Sequence, residues 1–212
     1  PNAAIYALCT RTESRLNGIA ARFGAAHSYT DCRELLENPE VVAVNFVTMW
    51  DQHTEPALAA LAAGKHVFLE KPMASTTEDC RAIVAAAGAS DRAFMVGHIC
   101  RFNPRFAAAK QEIDEGKIGR IVSMYARRNI PAAVTTEILE KIGPIIGDGV
   151  HDTDLMLWCS GDQIVSAYAQ SLSWRNKTHA DLGWTMFRFA SGAIGVLENV
   201  WCLPDRTPFQ ID

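Results

Sequence analysis

The segment from Gly147 to Asp154 brings three carboxylates and one imidazole close together in the chain. On a helix, Asp148, His151 and Asp154 recur at every third position and therefore lie near one face. A neighbouring carboxylate orients an imidazole and favours its charged form, which suits His151 to exchange protons near neutral pH. Two other interpretations fit these residues: helix capping by Asp148 and Asp152, or a site for a hard divalent metal ion.

Lys71 and Pro72 directly follow a predicted strand that runs from His66 to Glu70. Parallel sheets bind ligands at the carboxyl ends of their strands, so we expect Lys71 at that edge. Pro72 fixes its own φ and keeps the preceding residue extended, which restricts the directions open to the Lys71 ammonium. The pattern indicates either a ligand-binding lysine or an ordinary solvated lysine at a strand end.

The residues after a second predicted strand, Val41 to Val47, are expected at the same edge. Thr48 offers a hydroxyl there, and His53 lies a few residues further on. Trp50 is suited either to stack on a ligand ring or to pack against neighbouring side chains.

His98 and Arg101 come directly after a third predicted strand, Ala93 to Gly97. The Arg101 guanidinium either binds an anionic or hydroxylated substrate or caps neighbouring carbonyl groups. Both residues are therefore candidates for contact with a substrate.

Thr10 and Arg11 follow the first predicted strand, Ala4 to Cys9. In a dinucleotide-binding fold, the tip of the second strand meets the adenosine ribose, where an acid selects NAD and an arginine accommodates the 2′-phosphate of NADP. This strand end has no acid, and a hydroxyl beside a guanidinium suits a phosphate. We expect a preference for NADP(H), with NAD(H) possible; a solvated arginine beside a helix start is the alternative.

The glycine-rich phosphate-binding loop, G-x-G-x-x-G, does not precede this strand. One G-x-G, Gly147 to Gly149, occurs elsewhere, but it follows no predicted strand and has no third glycine in place. Either the fold is of another kind, or the sequence begins after the first strand and its loop.

Short β-branched runs alternate with alanine-rich helices from Ala3 to Phe94, which is typical of βαβ units. The strands lack polar alternation, so they are expected in a parallel sheet that is covered on both faces. The predicted helices are Glu13 to Phe23, Glu55 to Ala63 and a helix that ends near Ala89. The residues that mark helix ends are Gly24, Gly64 and the capping pairs Asp31–Glu34 and Ser75–Glu78.

After Gly97 the pattern changes to a helix, a strand, another helix and then several strands in succession, which indicates an antiparallel sheet and a second domain. The sequence predicts an α/β protein with an incomplete Rossmann-like, doubly wound parallel sheet in residues 1–118. An α/β domain with an open, mainly antiparallel sheet follows in residues 119–212. The predicted elements are helices from Pro104 and from Val150 to Cys159, and strands Arg120 to Arg128, Val165 to Trp174, Trp184 to Phe189 and Ala193 to Trp201.

Composition excludes several classes of partner. The chain has 212 residues, of which 49% are hydrophobic, and a formal net charge of −4. Without a basic tract to neutralise a row of phosphates, nucleic acid is not an expected partner. The apolar runs fall short of the roughly 18–20 residues that span a membrane. Six cysteines that form no C-x-x-C pair indicate a cytoplasmic protein.

Four motifs in order and spacing resemble those of the Gfo/Idh/MocA oxidoreductases: Thr48 to His53, Ala60 to Pro72, Gly97 to Pro104, and Gly147 to Asp154. The resemblance covers essentially the whole chain. It implies an N-terminal Rossmann domain and a C-terminal α/β domain with an open sheet. By that pattern, the sequence lacks the first strand with its glycine-rich loop and the end of the second domain.

The resemblance also implies a reaction and its residues. Lys71 would hold the substrate oxygen, His151 would be the acid/base group, and Glu70 and Thr48 would border the cofactor. The reaction would be hydride transfer between nicotinamide and a carbinol or carbonyl carbon of a sugar, polyol or related hydroxylated small molecule.

One position departs from the family pattern. The family commonly has an aspartate four residues before the histidine, where this chain has Gly147, and Asp148 follows one position later. Asp148 either serves from the shifted position or the role is absent. A non-catalytic NAD(P)-binding regulator on the same fold is therefore an alternative, and a divalent-metal hydrolase centred on His151 is another.

The expected site thus has three groups of residues and no metal ligands. An open sheet in the second domain leaves a face that commonly binds a partner, so we expect a homo-oligomer through the C-terminal sheet. The candidates are catalytic Lys71, His151 and Asp148; cofactor-binding Thr10, Arg11, Thr48, Trp50, His53, Glu70 and Lys71; and substrate-binding His98, Arg101 and Asp154.

Overall fold

The computed structural model describes residues 5–211 and divides the chain into two compact units. The first unit ends at Gly97 and the second begins at His98. This division lies earlier than the predicted boundary near residue 118, because the helix Pro104–Asp114 packs against the helix Gly149–Ser160 of the second unit. None of the helices within residues 5–211 has the length and apolar character that a membrane crossing requires.

The first unit alternates strands with helices, as the sequence predicts. Strand β2 is missing from the prediction because its three residues, His-Ser-Tyr, form no apolar run; the predicted strand start at Ala4 lies outside the described residues. The strands are β1 (Ala7–Cys9), β2 (His27–Tyr29), β3 (Ala43–Phe46), β4 (His66–Leu69) and β5 (Phe94–Val96); the helices are α1 (Glu13–Phe23), α2 (Cys32–Glu37), α3 (Thr54–Ala62) and α4 (Thr77–Ala89).

All strand pairs among residues 5–97 of the first unit are parallel, which confirms the predicted Rossmann-like arrangement. Strands β1 and β2 form one sheet, and β3, β4 and β5 form another in that order. In the three-stranded sheet, Leu69 pairs with Phe46 on one side and with Val96 on the other, so the carboxyl ends of the strands are aligned. The core lies where α2, α3 and α4 pack on β3 and β4, and Leu69 is completely buried in it.

Helix ends in this unit depend on single residues. Helix α1 ends at Gly24, whose φ of 66° is in the left-handed region that glycine adopts without strain. The predicted cap of α4 at Ser75 is wrong by one residue, because the Thr76 hydroxyl accepts a hydrogen bond from the Asp79 N–H at 3.1 Å. Ser75 and Thr76 are each followed three residues later by an acid, so the capping pattern fits both.

The second unit has one long sheet with helices before and between its strands. Strand β10 lies beyond the last predicted strand, and its two residues carry no periodic pattern. The strands are β6 (Ser123–Pro131), β7 (Ile164–Leu172), β8 (Leu182–Phe189), β9 (Ile194–Leu203) and β10 (Gln210–Ile211); the helices are α5 (Pro104–Asp114), α6 (Ala132–Thr135), α7 (Pro144–Gly147) and α8 (Gly149–Ser160).

The five strands form a sheet in the order β10-β6-β9-β8-β7. Only the β6–β9 pair among them is parallel, so the sheet is mainly antiparallel, as predicted. Strands β8 and β9 form the expected hairpin, with Arg188 opposite Ile194 and a turn that contains Gly192 at a φ of 88°. Alternate residues of β8 are buried, and Phe187 and Phe189 pack there with Met156 of α8. Helix α8 therefore lies on the inner face of the sheet.

Candidate active site

The first unit places Lys71 at the carboxyl end of β4, as the sequence predicts. Glu70 continues the strand line, and its N–H donates to the Phe46 carbonyl at 3.0 Å. The Lys71 N–H donates to the Glu70 carboxylate at 3.2 Å, and the Lys71–Pro72 peptide is cis. A Cβ at Gly97 would stand 3.2 Å from the Phe68 ring and 3.4 Å from Glu70 Oε2. The backbone after β5 therefore lies close to the end of β4.

His53, predicted to bind the cofactor, is completely buried in the first unit. Its Nδ1 lies 3.0 Å from the Pro72 carbonyl oxygen, and its Nε2 lies 3.0 Å from the Thr48 carbonyl oxygen. The ring therefore links the loop after β3 to the turn that carries Lys71. Thr48 is exposed and Trp50 is half-buried in the same loop, so the described geometry leaves Thr48 accessible and places His53 behind it.

Arg11 lies just beyond the end of β1 and is exposed. Its guanidinium donates to Gln52 Oε1 at 2.9 Å, which connects the predicted ribose end of β1 to the loop after β3. Thr10 is half-buried, and its N–H donates to the Tyr29 carbonyl at 3.2 Å, which extends the β1–β2 ladder.

The second unit places His151 in the first turn of α8, where it is buried. The His151 N–H donates to the Asp148 carbonyl at 2.9 Å. Asp148 is the N-cap residue by position, and its carboxylate accepts a hydrogen bond from Trp201 Nε1 at 3.0 Å. A Cβ at Gly149 would stand 2.5 Å from Asn199 Oδ1, so the start of α8 lies directly on the sheet.

Asp152, the next carboxylate of the segment, forms a buried ion pair with Arg128 of β6. Arg128 Nε and Nη2 donate to the two carboxylate oxygens at 2.9 and 2.8 Å. Burial alone would lower the pKa of the Arg128 guanidinium, but its hydrogen bonds to Asp152 raise that pKa instead. The pair is bidentate, and it fixes α8 on the sheet beside His151.

Asp154, one turn beyond His151, forms a second bidentate pair with Arg101. The guanidinium donates to the carboxylate oxygens at 2.8 and 2.6 Å, and these hydrogen bonds to Asp154 raise the pKa of Arg101. His98 Nδ1 lies 3.8 Å from the same carboxylate. The structure thus brings together the three predicted substrate residues, with Asp154 between the two basic groups, and the Arg101 guanidinium lies 5.6 Å from the centre of the Trp158 ring.

Sequence reasoning missed the residues that support α8 from the sheet. These residues are Arg128 of β6 and Asn199 and Trp201 of β9. They contact the start of α8 because the folded sheet places them beside that helix. Arg128 itself was a signal in the sequence. A charged residue directly before an apolar stretch of a strand is expected to be buried, and a buried charge needs a partner of opposite charge.

Two family models match the chain. One, described as the oxidoreductase family with an NAD-binding Rossmann fold, matches residues 1–98, and the Gfo/Idh/MocA C-terminal domain matches residues 106–212. Both matches follow the division of the structure into two units.

Curated relatives include two inositol dehydrogenases. Inositol 2-dehydrogenase 2 of Saccharopolyspora erythraea is 34% identical over 202 residues, which cover 93% of this chain and 58% of that protein. Myo-inositol 2-dehydrogenase of Thermotoga maritima is 28% identical over 204 residues, which cover 93% of this chain and 61% of that protein. The chain therefore spans about three fifths of the length of these relatives.

A solved structure has the same fold. The crystal structure of an oxidoreductase domain protein from Kribbella flavida superimposes with a TM-score of 0.87 at 28% identity, covering 98% of this chain and 61% of that one. Its match extends across both units of this chain.

Proposed function

The chain belongs to the Gfo/Idh/MocA oxidoreductase family, and on that premise we propose that the whole protein is an NAD(P)-dependent dehydrogenase of a polyol such as inositol. The observation that carries the proposal is the buried His151 in the first turn of α8. Asp152 and Asp154 are both engaged by arginines, and imidazole is the one side-chain type in this segment that ordinarily titrates near neutral pH.

The first unit offers a suitable edge for the nicotinamide end of a dinucleotide. Three parallel strands end together, Thr48 and Glu70 follow two of them, and Gly97 lets the chain pass close to Glu70. We assign these three residues to the border of the cofactor. When bound, the cofactor takes up or releases the hydride of the substrate carbon.

In the proposed reaction, the protein's own residues handle the proton and the charge on oxygen. As the carbinol C–H bond breaks, an imidazole nitrogen of His151 accepts the hydroxyl proton. By the resemblance to the family, the Lys71 ammonium is assigned to stabilise the negative charge that develops on the substrate oxygen, an electrostatic contribution of about 3–4 kcal/mol in comparable sites. His98, Arg101 and Asp154 are assigned to the remaining substrate hydroxyls, because their paired charges offer both donors and acceptors.

Kinetics of the whole protein separate these roles. Lys71→Ala should lower the rate constant of hydride transfer by about 100-fold and leave cofactor affinity nearly unchanged. His151→Ala should lower it by about 100-fold to 10,000-fold, and an added amine base should restore part of the loss. Single-turnover nicotinamide absorbance with inositol measures both, with exposed His27→Ala as the control.

Other outcomes identify the alternatives. Natural rates in both variants would remove these two residues from the mechanism. Cofactor binding without any hydride transfer by the natural protein would favour a non-catalytic NAD(P)-binding regulator. Hydrolytic activity that a chelator abolishes, in a natural protein that transfers no hydride, would favour the metal hydrolase.

We also propose a preference for NADP(H) over NAD(H). The proposal is supported by the exposed Arg11 guanidinium beyond β1 and by the lack of an acid at Thr10 and Arg11. Arg11→Ala should weaken NADP(H) binding by about 1.5–3 kcal/mol and leave NAD(H) binding unchanged. Calorimetric titration with both cofactors tests this, and Arg22→Ala, at the far end of α1, is the control. Equal loss for the two cofactors would contradict the assignment.

The outer face of the second sheet supports the proposed homo-oligomer. Trp184 and Met186 alternate with buried residues of β8 and are exposed, as is Tyr168 opposite Met186 on β7. Tyr125 and Ile194 extend this apolar face across β6 and β9. A contiguous aromatic face of this kind commonly binds a partner, and a second copy of the same face is the simplest one.

A further inference from the structure

We propose that Trp201 is a positioning residue, which fixes the carboxylate of Asp148 at the start of α8 and thereby makes position 148, rather than position 147, the place for that carboxylate. The inference rests on the proposed function, because it concerns the first turn of α8, which carries His151. It assigns a role to a residue of β9 that has no place in the sequence motifs.

The first observation is a pair of contacts made by one indole ring. Trp201 is 2% exposed, and its Nε1 donates to Asp148 Oδ2 at 3.0 Å. A Cβ placed on Gly147 would stand 2.6 Å from Cη2 of the same ring and 3.0 Å from its Cζ2. Real side chains do not approach an aromatic ring so closely, so the ring excludes a carboxylate at position 147 while it holds one at position 148.

The second observation is that the Trp201 backbone is fixed on both sides. Its N–H donates to the Asp181 carbonyl at 2.7 Å. Its own carbonyl accepts hydrogen bonds from Arg175 Nη2 at 2.7 Å and from the Thr135 hydroxyl at 2.8 Å. With both backbone groups bonded and the ring buried, the indole N–H points in one direction, which is a condition for orienting another side chain.

The effect on the proposed chemistry passes through the first turn of α8. Asp148 accepts the His151 N–H through its backbone carbonyl, so the two residues belong to the same turn. An indole N–H is a donor only, and it therefore fixes one carboxylate oxygen of Asp148. A carboxylate held in one orientation supports the imidazolium that forms when His151 accepts a proton.

A double-mutant cycle tests the coupling in the whole protein. Trp201→Phe removes the N–H and keeps an aromatic ring on the sheet. We expect kcat to fall about tenfold with little change in KM, and to fall less than twofold when Asp148→Asn is already present. Trp174→Phe, which alters an exposed indole of the same unit, should leave kcat unchanged.

A second pair of variants tests the exclusion at position 147. Gly147→Ala should lower kcat in the natural background, because its methyl group displaces the indole. In the Trp201→Phe background, where the outer ring atoms are missing, the same change should have no further effect. Urea unfolding of each variant shows whether the protein still folds.

The outcomes distinguish the inference from the proposed function. If His151→Ala and Asp148→Asn both keep the natural kcat, the proposed function itself is wrong. If those two changes lower kcat but Trp201→Phe lowers it equally in both backgrounds, or not at all, the role of Trp201 is overturned and the function stands.

Discussion

The two units hold their proposed catalytic residues by different kinds of interaction. In the first unit, the turn that carries Lys71 is tied to its neighbour loop by the His53 ring between two backbone carbonyls. In the second unit, the helix that carries His151 is held by bidentate pairs of carboxylates with Arg128 and Arg101. A loop is thus fixed through its backbone, whereas a helix, whose backbone groups bond within it, is fixed through side chains.

The two kinds of support also differ in the stability that is lost when one partner is removed. A buried ion pair gains little net stability, because desolvation offsets the attraction, but removal of one partner leaves a buried charge unpaired. A ring between carbonyl groups leaves only polar acceptors unsatisfied when it is removed, together with a cavity. The second unit should therefore be the more sensitive to single substitutions at its supports.

The largest effect is expected when the charged support is broken on one side. Arg128→Leu leaves the Asp152 carboxylate buried without its partner, and both side chains are less than a tenth exposed. The free energy of unfolding of the second unit should fall by about 3–5 kcal/mol. Urea unfolding followed by tryptophan fluorescence measures this, because four of the five tryptophans, all except Trp50, lie in the second unit.

Two comparisons sharpen this test. Arg101→Leu breaks a pair whose arginine side chain is 40% exposed, so it should cost clearly less than Arg128→Leu. In Arg128→Leu/Asp152→Leu neither charge of this pair remains, and part of the lost stability should return. A double variant as unstable as the single one would contradict the argument from the unpaired charge.

A smaller loss is expected in the first unit when His53 is replaced. His53→Ala creates a cavity and leaves the Thr48 and Pro72 carbonyls without their ring partner, at a cost of about 2–4 kcal/mol. Hydrogen exchange should rise in peptides around β3 and β4 and stay unchanged in the second unit. His27→Ala, in an exposed position, should change stability by no more than about 0.5 kcal/mol. Equal exchange in both units would mean that His53 is not a local support.

The same contrast explains what the sequence could and could not predict. Lys71 was found because a strand, a lysine and a proline are adjacent in the chain, and their local geometry needs no distant partner. The pairing of Asp152 with Arg128 depends on how α8 packs against β6, which residue patterns do not encode. Fold class and the motif positions were therefore predictable, whereas the side chains that fix α8 were not.

The short elements and the exact helix boundaries were predicted less well, for a related reason. Strand β2 has three residues, and each of them pairs with a residue of β1. The cap of α4 could lie at Ser75 or Thr76, because both have an acid three residues later. In each case the local pattern permits several answers, and tertiary contacts select one.

The smallest effect is expected from acid, through the buried carboxylate of Asp181 in the second unit. Burial would raise the pKa of Asp181, but hydrogen bonds from the Trp174 and Arg175 amides and from the Arg175 guanidinium lower it below 3.8, its ordinary value. A lowered pKa in the folded state means that the unfolded chain takes up the proton first. The stability that Asp181 provides is therefore complete above that ordinary value and is lost as pH falls through the folded pKa.

The acid dependence can be separated from the general effect of low pH. The urea midpoint of the second unit should decline between neutral pH and the region below 3.8, and the decline should be shallower in Asp181→Asn, which has no carboxyl to protonate. Asp91→Asn, at an exposed position of the first unit, should keep the slope of the natural protein. If Asp181→Asn shows the same slope as the natural protein, its carboxylate does not account for acid sensitivity. The contrast between ion pairs and a ring held by backbone carbonyls would then rest on Arg128 and His53 alone.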